Sequence, residues 1–265
     1  MRLLILGSTG LLGSAMTHQA AKATHAVTAL SHAQCDITNS EQLKTALAQA
    51  KPEAIINCTG YTKVDDAETN QKAAFAINSE AVATLAGLAK EYQTTLVHFS
   101  TDYVFNGELI NKAGYGEDAK PSPLNVYGES KAQGEARLIQ SGLAQFFLIR
   151  SSWIFGPGGK NFVDTMLNLA SKGTPLQVVN DQVGCPTFSL DLAQAVLRLL
   201  EGTNYGIYHL TNEGACSWFD FAQEIFSQIG VPQKITPITS KKLGRPAKRP
   251  QYSILKNTKF PLLRP

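Results

Sequence analysis

An α/β protein built on a doubly wound parallel sheet, with a smaller C-terminal lobe, is the fold this sequence predicts. Three observations predict it. Short apolar runs at residues 3–6, 26–30, 54–57, 94–100 and 146–150 alternate with stretches of helical periodicity, the pattern of repeated β-α units. The first run passes directly into Gly7, Gly10 and Gly13, which fits a buried strand turning sharply into a helix. A length of 265 residues with 43% hydrophobic content is enough for one large domain plus a lobe. Residues 1–150 are expected to form mainly the sheet domain and 151–265 mainly the lobe, with some segments returning to the sheet.

Composition narrows the function classes. The 24 basic and 21 acidic residues are scattered and leave a net charge of +3, so neither nucleic acid nor an anionic membrane is an expected partner. No apolar run approaches the roughly 18 residues of a membrane span, and residues 3–6 are too short for a signal peptide; a cytoplasmic address is expected. Cys35, Cys58, Cys185 and Cys216 contain no C-x-x-C pair, which suits reduced thiols and predicts no bound metal. Residues 241–259 are locally basic, either as a solvated face or as a counter-charge for a phosphorylated ligand.

The glycine turn is the first candidate site. Gly7 permits the tight turn, Gly10 lets backbone N–H groups approach a pyrophosphate at the helix N-terminus, and Gly13 lets the helix pack close on the strand. Thr9, Leu11 and Leu12 complete this candidate dinucleotide cradle. The spacing G-x-x-G-x-x-G resembles that of short-chain dehydrogenases. A helix over 11–23 follows, then a strand over 26–30 ending in Ser31-His32. In many dinucleotide folds an acidic residue here binds the adenosine ribose and repels a 2′-phosphate; without it, NADPH is expected to serve as well as NADH.

Residues 35–38 come next. Thr38 and Glu41 are spaced as a capping box for a helix reaching Ala50. Asp36, beside Ile37, either supports that helix start or recognises the adenine amino group. The strand over 54–57 empties into Cys58, Thr59, Gly60, Tyr61 and Thr62, and small residues beyond a strand let a cofactor lie against the backbone. One helix is predicted over 71–92 and a strand over 94–100, ending in Ser100, Thr101, Asp102 and Tyr103. Polar side chains at the carboxyl end of a buried strand are candidates for chemistry.

A Gly/Pro-rich loop at 114–123, a candidate lid, leads to Tyr127 and Lys131. Four residues apart on a helix, they share one face. A phenol with a pKa near ~10 is a poor acid or base at neutral pH, and a neighbouring ammonium is expected to pull that value down. Lys131 can also hold a nicotinamide ribose, while Thr101 bonds the reacting oxygen. Following the glycine turn and a Ser/Thr strand end, this Y-x-x-x-K resembles that of extended short-chain dehydrogenases, with Thr101, Tyr127 and Lys131 on the catalytic positions. That resemblance implies a Rossmann-type NAD(P)-binding domain and a substrate-binding lobe.

After the strand at 146–150, the blocks around Trp153, Asn161, Gln182 and Arg249, together with 101–105, resemble the dTDP-4-dehydrorhamnose reductase family over nearly the full length. Helices are also expected over 191–200 and from Ser217, and a short strand over 208–210. The resemblance implies NADPH- or NADH-dependent reduction of the 4-keto group of dTDP-4-dehydro-L-rhamnose. Trp153 is then expected to contact the nucleotide-sugar and Thr101 and Asp102 the sugar, with Asn161, Gln182 and Arg249 as further substrate contacts. Asn161 and Gln182 suit loop-backbone bonding equally well.

Two departures bear on assembly. Members usually continue past the basic segment with another helix that this sequence lacks. Some hold a Mg²⁺ at a dimer interface with an acidic residue where Ala15 stands, so a monomer or a weak homodimer without metal is expected. Three alternatives accompany the reading: a reductase of another nucleotide-linked 4-keto sugar, a 4,6-dehydratase, and a non-catalytic dinucleotide-binding subunit similar to the methionine adenosyltransferase beta subunit. The dehydratases characteristically place Glu where Tyr103 stands.

Overall fold

The structure, a computed structural model, describes residues 1–108, 114–261 and 263–264. Strand β1 (Arg2–Leu6) leads into helix α1 (Leu11–Lys22), then β2 (Ala26–Leu30), α2 (Ser40–Ala50) and β3 (Ala54–Asn57). Helices α3 (Val64–Ala67) and α4 (Gln71–Phe75), a π-helical turn at Ala76–Glu80 and α5 (Ala81–Glu91) precede β4 (Thr95–Thr101). A 3₁₀ turn at Asp102–Val104, α6 (Val126–Gln140) and β5 (Phe146–Ser151) follow.

The C-terminal part contains β6 (Ile154–Phe155), α7 (Phe162–Ser171), β7 (Leu176–Val179), β8 (Val183–Gly184), β9 (Thr187–Phe188) and α8 (Ser189–Leu199). It ends with β10 (Gly206–His209), β11 (Cys216–Ser217), α9 (Trp218–Gln228), β12 (Ile235–Ile238) and α10 (Ser240–Leu243).

Six strands form one sheet in the order β10-β5-β4-β3-β1-β2, every pair parallel. Alternation along β1 explains why helices cover both faces. Leu3 and Ile5 pack with α1 and α8, whereas Leu4 and Leu6 pack with α2 and α5. The chain reverses direction across the sheet between β1 and β3, so a crevice opens at their carboxyl ends, where open parallel sheets bind ligands. A third core, among α7, β7, α9 and β12, forms the lobe. Ala15 is buried in the α1–α8 core.

Three expectations change. The cap of α2 is Asn39, whose side chain accepts the Glu41 and Gln42 N–H groups at 3.1 Å each; Thr38 instead donates to Asp36. Asn one residue before the helix out-competes Thr because its carbonyl reaches both free amides. The predicted helix over 71–92 is broken by the π turn, a local widening often found at functional sites. The short C-terminal strand is Gly206–His209, which extends the main sheet beyond β5.

Candidate active site

Backbone geometry at the glycine turn fits a dinucleotide. Gly7 has φ of +78°, a conformation side chains disfavour, and a Cβ on Gly13 would lie 2.1 Å from the Gly7 carbonyl oxygen. The N-terminus of α1 therefore presses against the turn with its free amides directed outward. Thr9, Gly10, Leu11 and Leu12 line a cleft of about 530 Å³ that also takes in Cys58, Thr59, Gly60 and Thr62 at the end of β3.

Other predicted cofactor residues lie off that lining. Gly7 and Gly13 stand behind it. Ile37 is buried in the core, and Asp36 accepts both Thr38 groups, whose hydrogen bonds hold its carboxyl below the ordinary carboxylate range. Tyr61 donates its hydroxyl to Asp66, while its backbone is clamped by Asn78.

Thr101, Tyr127 and Lys131 converge on the same cleft. The Thr101 hydroxyl caps the 3₁₀ turn, donates to Asp102 at 3.0 Å and interacts with the Tyr127 phenol. Burial pushes the Asp102 carboxyl up to about 6, against the Ser253 and Thr101 hydroxyls that favour its charged form. Burial pushes Tyr127 up to about 12, and the Asp102 charge adds to it. This reverses the expected downward shift. Lys131 points its ammonium into the fold, donating to the Phe99 carbonyl at 2.6 Å rather than to the phenol, and burial lowers it to about 8.

Behind Lys131 runs a polar chain that residue spacing did not reveal. His98 Nε2 lies 3.4 Å from Lys131 Nζ, and its Nδ1 lies 3.0 Å from Asn57 Nδ2. Asn57 in turn accepts from Thr59, which lines the cleft. A histidine inside the otherwise apolar run Leu96-Val97-His98-Phe99 was the available signal. Asn78, on the π turn, also donates to Ser130 at 2.9 Å, tying the β3 loop to α6.

Trp153 reaches the cleft from the lobe side. Its backbone φ is +48°, uncommon for a bulky residue, and its ring stacks on Trp218 at 3.5 Å over Gly184, where a Cβ would lie 2.7 Å from it. Asn161 lies off the lining: its amide holds the Gly156 and Gly159 carbonyls, and Gly159 abuts Leu11 of the glycine turn. Gln182 and Arg249 line a separate basic pocket of about 700 Å³ with Lys241, Arg245 and Lys248. Arg249 makes a bidentate pair with Asp65, both contacts 2.9 Å, and bonds Tyr103. Tyr103 packs edge-on against Tyr127 with centroids 5.8 Å apart, so its side chain links Arg249 of the basic pocket to Tyr127 of the cleft.

Known proteins resemble this chain along nearly its whole length. The family model described as RmlD substrate binding domain matches residues 1–263. The dTDP-4-dehydrorhamnose reductase of Aggregatibacter actinomycetemcomitans is 40% identical over 273 residues, covering 98% of this chain and 92% of that protein. A probable dTDP-4,6-dihydroxy-2-methyloxan-3-one 4-ketoreductase of Streptomyces antibioticus is 39% identical, covering 96% of this chain and 86% of that protein. The crystal structure of dTDP-4-dehydrorhamnose reductase from Bacillus anthracis, in complex with NADP, superposes with a TM-score of 0.95 at 35% identity, covering 99% of this chain and 94% of that one. With a family match along nearly its whole length and the glycine turn, Thr101, Tyr127 and Lys131 gathered on one cleft, the chain belongs to the dTDP-4-dehydrorhamnose reductase family.

Proposed function

We propose that this protein reduces the 4-keto group of dTDP-4-dehydro-L-rhamnose, using NADPH at least as readily as NADH. The observation that carries the proposal is the convergence of Thr101, Tyr127 and Lys131 on the cleft that the glycine turn opens into. The residues present fit a dinucleotide: Gly10 lines the cleft at the start of α1 with no side chain to obstruct it, and the buried hydroxyls of Ser100 and Ser151 line the same cleft without a protein partner. Bound there, NADPH supplies the hydride that adds to the carbonyl carbon.

Tyr127 donates its phenolic proton to the oxygen that gains charge. Its raised pKa suits this role, because the phenol stays protonated throughout the neutral range while the forming alkoxide is more basic still. Thr101 holds that oxygen in place, and Lys131 supports the developing charge and holds the cofactor ribose. Asp102 and Trp153 bound the sugar side of the cleft. The cations around Arg249 fit the diphosphate of a nucleotide-sugar, with the Tyr103 side chain linking Arg249 to Tyr127 of the cleft.

A cytoplasmic monomer or weak homodimer belongs to the same reading. The four free cysteines support a reducing compartment, and no helix among the described residues is long and apolar enough to cross a membrane. Division into a cofactor domain over 1–150 and a substrate lobe over 151–265 is supported by the separate core of the lobe, with β10 returning to the sheet.

The test is NADPH oxidation with freshly generated dTDP-4-dehydro-L-rhamnose. Turnover is expected; cofactor binding without turnover would favour the regulatory-subunit reading. Because the Streptomyces antibioticus relative is named for a different dTDP-sugar, a second 4-keto sugar belongs in the same assay. A higher kcat/KM for that sugar would reassign the substrate.

A further inference from the structure

We infer that His98 is a positioning residue: the relay Thr59–Asn57–His98–Lys131 presents the lysine with a ring N–H donor and so biases it toward the uncharged amine when no cofactor is bound. The inference rests on the proposed role of Lys131 at the cofactor and names what controls that lysine.

Hydrogen-bond polarity carries the argument from one end of the relay to the other. The Thr59 backbone N–H lies 3.1 Å from Asn57 Oδ1, and a backbone N–H only donates, so the atom facing it is the amide oxygen. The Thr59 hydroxyl reinforces this at 2.6 Å. The amide nitrogen of Asn57 is thereby turned toward His98 Nδ1 at 3.0 Å. A primary amide nitrogen has no lone pair to offer, so Nδ1 is the bare nitrogen that accepts. His98 is only 1% exposed, and burial keeps its ring neutral. A neutral ring with Nδ1 bare carries its proton on Nε2.

That proton points at Lys131 Nζ, 3.4 Å away. An ammonium there would set donor against donor. An amine would accept from Nε2–H with its lone pair and still donate to the Phe99 carbonyl at 2.6 Å. From its own helix Lys131 is faced by Tyr127 one turn back and by Glu135 one turn on; Glu135 favours the charged form. The Glu135 carboxylate is already paired with Arg150 at 2.7 Å, which weakens its hold on the lysine. Burial acts in the same direction as the relay, with Lys131 only 4% exposed. Thr59, at the far end, lines the cofactor cleft, so the relay joins the cofactor loop to the protonation state of the lysine.

The experiment reads the tautomer directly. In cofactor-free protein carrying ¹⁵N-labelled histidine, a long-range ¹H–¹⁵N correlation near pH 7 is expected to show the His98 proton on Nε2. A proton on Nδ1 would overturn the inference. This measurement needs no substitution and no turnover, so failure of the relay and failure of the reductase reading are separately visible. Asn57→Asp offers an acceptor of the same shape, and it is expected to draw a proton onto Nδ1 and move the alkaline limb of kcat/KM about one pH unit higher. A variant whose Nδ1 stays bare, or whose alkaline limb does not move, would contradict the relay.

Discussion

At Lys131 burial and charge compete, and burial wins: it holds the side chain at about 8, below a free lysine, against the Glu135 charge. If the ammonium supports the reacting charge, activity is present below that value and is lost as pH rises through it. A profile of kcat/KM between pH 6 and 10 should therefore show an alkaline limb near 8 that Tyr127, at about 12, cannot supply. A profile flat to pH 10 would remove Lys131 from the charge-bearing role. Tyr127 and Lys131 were legible in sequence because a fixed spacing on a helix is a local property. The direction of the Tyr127 shift was not, because it is set first by burial of the phenol in the finished fold and then by the Asp102 charge, while the Phe99 carbonyl and His98 ring of β4 turn Lys131 inward.

Helix α6 carries both side chains, and its close approach to the π turn sets their position. A Cβ on Gly134 would lie 2.0 Å from the Asn78 carbonyl oxygen. Gly134→Ala gains about 1 kcal/mol of helix propensity, but the backbone clash forces α6 outward at about 1–3 kcal/mol. A lower urea midpoint and a fall in kcat are expected; unchanged stability would show that the helix has room to spare. The end of β2 makes a different prediction. Ser31 is engaged with Gln34 through its N–H and its hydroxyl, His32 is exposed, and neither offers a carboxylate to repel a 2′-phosphate. Comparison of kcat/KM should show NADPH at least equal to NADH; an NADH preference above ~100-fold, about 2.7 kcal/mol, would contradict it. The strands were readable from their apolar runs. The π turn was not, since one extra residue per turn leaves an alanine-rich helical pattern intact.

Across the whole molecule, a buried charged network ties sheet, helix and C-terminal segment together. Arg150 grips Glu135 at 2.7 Å and the Glu117 carbonyl at 3.2 Å, while His209 and Glu117 link β10 to the segment around Thr258. Glu135→Gln leaves Arg150 buried beside an uncharged partner, and a loss of about 3–5 kcal/mol is expected. His209 is lowered to about 4, chiefly by burial, so below pH 6.5 the unfolded chain takes up a proton that the folded one refuses. Glu117, lowered by its Thr258 bonds, likewise favours folding only while ionised. Urea midpoints should fall from pH 7 to pH 5 through His209, partly offset by Asp102, whose raised carboxyl takes up a proton in the folded state; Glu117 adds a further fall only below about pH 4.5, and a midpoint that rose from pH 7 to pH 5 would contradict the His209 assignment. The doubly wound sheet was legible because repeated β-α units dictate it. Contacts such as Trp153 on Trp218 and Arg249 with Asp65 were not, because they join residues that only the finished fold brings together.

Turnover is where these scales meet, and Tyr127→Phe tests it most directly. The substitution keeps the ring and its packing against Tyr103 but removes the hydroxyl proposed as the proton donor. In single-turnover reduction of dTDP-4-dehydro-L-rhamnose, the variant should consume NADPH ~10²–10⁴-fold more slowly than the unsubstituted protein, with NADPH affinity nearly unchanged. A variant that retained more than about half the rate while chemistry was limiting would show that Tyr127 is not the proton donor.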